Sequence, residues 1–175
     1  MRGAGRILVL GWGNPGRGDD GLGPACVAAI ERIGLPGVQC EQDYQLQLEH
    51  AADVAEADLV LFVDAARHGP APFFIEPVAP RARLGFTSHA LDAEAVLAVA
   101  REAFGARAPA WRLGIRGEEF DGFRERLGDA ARANLERAVA FVARALRAPH
   151  PAEALARAAR DLESRRSPAG TKGRS

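Results

Sequence analysis

Residues 7–22 read ILVLGWGNPGRGDDGL, a stretch that predicts a strand, a glycine-rich loop and the start of a helix. The continuous apolar run Ile7–Leu10 predicts a buried parallel strand. From Leu22 to Ile33, apolar residues recur at helical spacing, and the glycine-rich loop of residues 11–21 joins the two segments. A strand that passes through a tight loop into a helix is the repeating unit of α/β folds.

The rest of the chain continues this alternation. Four further strands are predicted, the fourth at a sheet edge because it contains Pro77: 38–43, 59–64, 73–78 and 111–116. Three further helices are predicted: 46–55, 89–104 with Ser88 as its N-cap, and 126–146. We therefore expect a single α/β domain with a mostly parallel, twisted sheet of about five strands sandwiched between helices.

The expected domain covers residues 1–148. Residues 149–175 are predicted to form a C-terminal extension with one weak amphipathic stretch at 152–162. The extension ends in a disordered tail rich in Pro, Gly, Ser and basic residues. This extension lies beyond the long helix of residues 126–146, so we expect it to be dispensable for function.

Composition excludes several classes of protein. The 175 residues include 23 basic and 23 acidic side chains and are 47% hydrophobic, which argues against global disorder and against a basic nucleic-acid-binding surface. Residues 1–100 carry 7 basic and 13 acidic side chains. This imbalance favours either a cationic ligand or a globule whose two halves are complementary in charge.

Location is predicted from three further features. No apolar run approaches the roughly 20 residues that cross a bilayer, and the start of the chain has no signal-peptide core. Cys26 and Cys40 lack the spacing of a metal or redox motif and are expected to be reduced. We expect a cytoplasmic protein with no membrane partner.

Polar side chains stand where predicted strands end. Asp19 and Asp20 follow the first strand, Asp64 ends the third, and His89 precedes a predicted helix. Each has an ordinary interpretation, as a helix cap, a turn or a solvated side chain. Ligands bind outside the carboxyl ends of parallel strands, so together these residues predict one cleft. Carboxylate and imidazole ligands suit a divalent metal such as nickel or zinc.

The glycine loop has two possible roles. Gly11, Gly13 and Asn14 either permit a tight turn or let the backbone approach a ligand. A dinucleotide site is disfavoured because Asp19 and Asp20 would meet the pyrophosphate with negative charge.

Three motifs in order resemble the hydrogenase maturation proteases over residues 6 to about 147. The first is ILVLGWGN followed by GDDGLGP at residues 7–24, the second is LVLFVDA at residues 59–65, and the third is TSHAL at residues 87–91. The resemblance implies a phosphorylase/hydrolase-like α/β fold. It also implies an aspartic-type endopeptidase that removes a short C-terminal peptide from the nickel-loaded precursor of the nickel-iron hydrogenase large subunit.

Carried over by position, the resemblance makes Asp20, Asp64 and His89 the metal ligands and Asp20 and Asp64 the catalytic residues. The substrate-binding loop comprises Gly11, Gly13, Asn14 and Asp19. Nickel would be supplied by the precursor, and no organic cofactor or nucleic acid is implied. We expect the protein to be a monomer. Two departures concern Asp20, where relatives often have Glu, and residues 43–49, which lack a Gly-Thr pattern.

Two alternatives remain at this point. The GNPG loop also resembles peptidyl-tRNA hydrolase, although no histidine precedes His50 and the first half is acidic. A non-enzymatic nickel-recognition or chaperone module could use the same three ligands. For an enzyme, water is the expected nucleophile, since no GxSxG elbow occurs and Cys26 lies within an apolar helix stripe. Either a metal or one of the two aspartates would activate the water.

Overall fold

The computed structural model describes residues 5–81 and 91–166. These residues form five strands and five α-helices. The strands are β1 (Ile7–Trp12), β2 (Val38–Asp43), β3 (Leu59–Ala66), β4 (Phe73–Pro77) and β5 (Ala110–Arg116). The helices are α1 (Leu22–Ile33), α2 (His50–Glu56), α3 (Ala93–Phe104), α4 (Asp129–Leu146) and α5 (Pro151–Arg166). A short 3-10 helix, Gly18–Gly21, precedes α1.

The strands form one sheet in the order β2-β1-β3-β5-β4. All neighbouring strands are parallel except β4, which lies antiparallel to β5 at the edge of the sheet. The predicted α/β fold with a mostly parallel five-strand sheet is confirmed, as is the edge position of the strand with Pro77. Among the described residues, no helix combines the length and apolar character needed to cross a membrane.

Helices cover both faces of the sheet. On one face, α1, α4 and α5 pack against side chains such as Leu61 and Val63. On the other face, α2 and α3 pack against the alternate residues Val60 and Phe62. Alternate residues of a strand face opposite sides of the sheet, so Asp64 follows Val60 and Phe62 on the second face. It lies towards the carboxyl end of β3.

The chain leaves β1 through α1 on one face and enters β3 through α2 on the other. The strand order therefore reverses between β1 and β3, which lie side by side in the sheet. Such a reversal leaves a crevice at the carboxyl ends of the two strands, where ligands of open α/β sheets bind.

Several predicted boundaries were wrong. The helix expected to start at His89 with a Ser88 cap instead starts at Ala93, where the Asp92 side chain accepts a hydrogen bond from the Ala95 N–H at 2.9 Å. Ser88 itself lies outside the described residues. The helix predicted from Leu46 starts at His50, because Leu46 is buried and forms a β-bridge with Leu91. The long helix starts at Asp129 rather than at Arg126.

The weak amphipathic stretch of the C-terminal extension forms α5, which packs against α4 and β4. Leu155 is fully buried and belongs to the same apolar cluster as Phe73, Ile75 and Phe141. The predicted tail, residues 167–175, lies outside the described residues. The packing of Leu155 gives a physical reason to expect that α5 contributes to the stability of the domain.

We therefore expect Leu155→Ala to lower the free energy of unfolding by about 2–5 kcal/mol, since it leaves a cavity in a closed apolar cluster. Truncation after Ala148 should destabilise the protein further by exposing β4. Urea denaturation of both variants tests this expectation, with Arg160→Ala on the exposed side of α5 as the control. An unchanged midpoint for Leu155→Ala would show that α5 is only loosely attached.

Candidate active site at the sheet crevice

The crevice between β1 and β3 is closed on one side by the start of α1. A Cβ atom on Gly23 would lie 2.3 Å from the Trp12 carbonyl oxygen and 2.8 Å from the Val63 carbonyl oxygen. Only glycine allows the helix to approach both strand ends this closely. The glycine loop before α1 is consequently held directly above the ends of β1 and β3.

Asp20 lies in this loop as the third residue of the 3-10 helix and is partly exposed. Its Oδ2 accepts a hydrogen bond from the Asn14 N–H at 2.8 Å. The Asn14 side chain in turn accepts a bond from the Gly16 N–H at 2.9 Å. Asn14 therefore shapes the loop through local bonds, and its backbone orients the Asp20 carboxylate.

Gly11 and Gly13 are both buried, and both are required by close packing. A Cβ on Gly11 would lie 2.5 Å from Val27 Cγ2. Gly13 has a φ of +139°, and its Cβ would lie 1.9 Å from the Asp20 carbonyl oxygen. Gly13 also lines a cavity of about 280 Å³ bordered by Pro15, Pro24 and residues 42–44. The geometry supports the tight-turn role for Gly11 and allows both roles for Gly13.

We expect Gly13→Val to prevent folding or to lower the free energy of unfolding by more than about 3 kcal/mol, because the side chain has no space and the φ angle disfavours it. Gly16→Ala is the matched control, since its Cβ would meet only Asn14 Oδ1, at 3.2 Å. Thermal unfolding of the two variants measures the difference. A stable but inactive Gly13→Val protein would instead assign Gly13 to contact with substrate.

Asp64 ends the apolar part of β3 and borders the same crevice. Burial raises the pKa of Asp64 to about 7, although the Ala65 N–H and the nearby Arg112 oppose this rise. The negative charge of Asp20 adds to the rise. The Ala65 N–H donates to Asp64 Oδ1 at 2.7 Å. A carboxyl group with a pKa near neutrality can both give and take a proton at working pH.

Asp19, predicted to belong to the substrate-binding loop, has a different role. Its side chain is fully buried. Oδ2 accepts bonds from the Glu118 and Glu119 N–H groups and Oδ1 from the Gly128 N–H, each at 2.8 Å. These three bonds anchor the glycine loop to the segment between β5 and α4. Burial and these three bonds give Asp19 a structural role in the loop, and its contact with substrate stays a prediction.

His89, the third predicted ligand, lies outside the described residues. The described segments contain no group of three His, Cys, Asp or Glu side chains able to hold a metal ion. Within those segments, the structure brings Asp20 and Asp64 to one crevice.

The cysteines are poor candidates for a nucleophile. Both are free, and Cys26 is completely buried. Burial raises the pKa of the Cys26 thiol to about 12 and that of Cys40 to about 11. Thiolate is the reactive form of cysteine, so neither side chain is activated.

Arg112 is a residue of this region that the sequence analysis missed. It lies opposite Phe62 in the register of β5 and β3, on the same face as Asp64. Its Nη2 forms an ion pair with Glu76 Oε1 at 2.8 Å. The available signal was a charged residue inside a predicted strand that is otherwise largely apolar.

Solved structures of other proteins share this architecture. No protein-family model and no curated protein matches the chain. Several solved structures do. The hydrogenase maturation protease HycI from Thermococcus kodakarensis matches with a TM-score of 0.67 and 24% identity, over 84% of this chain and 96% of that protein. The hydrogenase maturating endopeptidase HybD from E. coli matches with a TM-score of 0.60 and 25% identity, over 81% and 92%.

A hydrogenase 2 maturation peptidase from a Thaumarchaeota archaeon matches with a TM-score of 0.60 and 24% identity, over 81% of this chain and 97% of that protein. The matches span nearly the whole length of each of the three proteins. These matches confirm, at the level of the fold, the resemblance predicted from the three sequence motifs. The chain has the fold of the hydrogenase maturation proteases.

Proposed function

We propose that this protein is an endopeptidase that removes a short C-terminal peptide from the nickel-loaded precursor of a nickel-iron hydrogenase large subunit. The observation that carries the proposal is the position of Asp20 and Asp64 at the crevice where the strand order reverses. The proposal is also supported by the fold, which is shared with maturation endopeptidases.

Asp20 and Asp64 occupy different environments, and this difference suits acid–base chemistry. Asp20 is partly exposed and accepts a backbone bond, whereas burial raises the pKa of Asp64 to about 7. In the proposed aspartic-type reaction, water attacks the carbonyl carbon of the scissile bond and gives a proton to a carboxylate. A proton then passes to the leaving nitrogen, which yields a new C-terminal carboxylate and a free amine on the released peptide.

Nickel enters this proposal as part of the substrate. Oxygen ligands from Asp20 and Asp64 together with the His89 imidazole form a donor set that suits nickel. The two described carboxylates border one crevice, which is compatible with this set, and His89 is assigned by its place in the third sequence motif. We propose that these residues recognise nickel in the precursor. The protein itself is proposed to be a cytoplasmic monomer without an organic cofactor.

The nickel assignment predicts that His89→Ala folds normally but no longer processes the nickel-loaded precursor, because one ligand of the recognition site is lost. Asp20→Glu keeps the carboxylate and should retain partial or full activity. Rates of precursor shortening followed by intact-mass spectrometry, with thermal unfolding as the fold control, test both statements. Wild-type rates for a folded His89→Ala protein would remove His89 from the site.

The competing functions are separated by the same assay. A nickel-recognition or chaperone module would bind the precursor and leave its mass unchanged, whereas the proposed enzyme at substoichiometric concentration shortens all of it. Peptidyl-tRNA hydrolase activity is not favoured, because the described fold matches maturation proteases and the loop carries Asp19 and Asp20 where that family expects a His-Asn pair.

A further inference from the structure

A second cavity, of about 240 Å³, opens on the other side of Asp64 from the glycine loop. Its lining combines Asp64 with Arg67 and His68, which follow β3, and with Arg112 of β5. Two arginines and a histidine therefore line the cavity beside the residue that we propose for catalysis. Among the predicted site residues that the structure describes, Asp64 alone lines this cavity.

The arginines in this cavity retain unused hydrogen-bonding capacity. The Arg67 guanidinium lies 4.3 Å from the centre of the Phe120 ring and forms no ion pair with any carboxylate in the described segments. Arg112 bonds to Glu76 through Nη2, but its buried Nε has no hydrogen-bond partner among the described residues. A buried donor without a hydrogen-bond partner is costly.

The side chains that line the cavity suit a small planar anion. The Phe74 ring lies over Gly114, where an added Cβ would be 2.2 Å from Phe74 Cζ. The Arg112 guanidinium is centred 5.5 Å from the same ring. The ring therefore gives the cavity an apolar wall beside the arginine donors. Guanidinium groups match the planar geometry of a carboxylate, to which they can donate two parallel bonds.

We infer that this cavity is a substrate subsite that binds a carboxylate of the peptide segment being cleaved. The inference rests on the proposed function, because a peptide bond held at Asp64 places a neighbouring part of the segment against Arg67 and Arg112. The carboxylate comes from an acidic side chain near the cleavage site or from the C-terminus of the precursor. Both sources present the same group to the arginines.

The test compares steady-state cleavage of the precursor by the wild-type protein and by Arg67→Gln. Loss of a charge-assisted contact made equally in the ground and transition states should raise KM about tenfold and leave kcat within about twofold. Arg67→Lys keeps the charge and should recover part of the loss. Arg107→Gln is the matched control, because it also removes one exposed arginine but at a separate cavity bordered by Asp58. This variant should behave as wild type.

Substrate variants distinguish the two sources of the carboxylate. In one set, each acidic side chain near the cleavage site is changed to its amide, and in the other the C-terminus is extended by one glycine. The relevant substrate change should raise KM for the wild-type protein but add little in Arg67→Gln, because the same contact is already lost.

The outcomes separate this subsite from the proposed function. An unchanged KM for Arg67→Gln, or additive effects with every substrate variant, would overturn the subsite while leaving the peptidase activity in place. Absence of cleavage by the wild-type protein would overturn both.

Discussion

Asp64→Asn is expected to abolish cleavage of the precursor while leaving the fold intact. The amide keeps an oxygen that can accept the Ala65 N–H, but it can neither take a proton from water nor carry the negative charge of a ligand. Loss of a general base or of a metal-binding carboxylate typically lowers rates by a factor of 100 or more. Intact-mass spectrometry measures the cleavage, and circular dichroism confirms the fold.

The same substitution should increase stability above pH 7. Because the folded protein raises the pKa of Asp64 from 3.8 to about 7, ionisation disfavours the folded state. The loss of folding stability caused by this ionisation is absent below about pH 4 and grows as pH rises towards 7. It reaches its full value above pH 7. Asp64→Asn removes the cost, so it should stabilise the protein at pH 8 by up to about 4 kcal/mol and by little at pH 4. A destabilised variant at pH 8 would show that Asp64 is a structural residue.

Asp19→Ala is expected to cause a large loss of stability. The substitution leaves three backbone N–H groups, those of residues 118, 119 and 128, without the carboxylate that accepts them. Removing a buried charged acceptor of this kind lowers the free energy of unfolding by about 3–5 kcal/mol. This is a large part of the total stability of a domain of this size. Urea denaturation measures the loss.

Asp20→Ala provides the contrast, because the neighbouring carboxylate is partly exposed and accepts a single bond from Asn14. We expect Asp20→Ala to lower the free energy of unfolding by about 1 kcal/mol and to abolish activity. Equal losses of stability for the two variants would contradict the division of these adjacent aspartates into an anchoring residue and a site residue.

The fold could be predicted from the sequence because its signals are local. The apolar run of β3 and the helical spacing of α1 require burial whatever their neighbours are, and alternation of strands and helices then selects the α/β class. The position of Asp64 also followed, since a carboxylate that ends an apolar strand is costly without a partner or a function.

The remaining features depend on contacts between distant residues. Asp19 and Asp20 have the same side chain, and what sets Asp19 apart is its bonds to residues 118, 119 and 128, about 100 positions later in the chain. The start of α3 was misplaced because Ser88 and Asp92 are both good caps, and sequence alone does not rank them. The arginine-lined cavity was missed because it depends on the register of β5 against β3.

Asp20 and Asp64 are proposed to hydrolyse one peptide bond near the C-terminus of a nickel-loaded hydrogenase precursor. The most direct measurement is the intact mass of that precursor after incubation with a substoichiometric amount of wild-type protein, with Asp64→Asn in parallel. We predict that the wild-type protein removes a single C-terminal peptide from all of the precursor and that Asp64→Asn leaves the mass unchanged. An unchanged mass with the wild-type protein, or equal shortening by Asp64→Asn, would contradict the account.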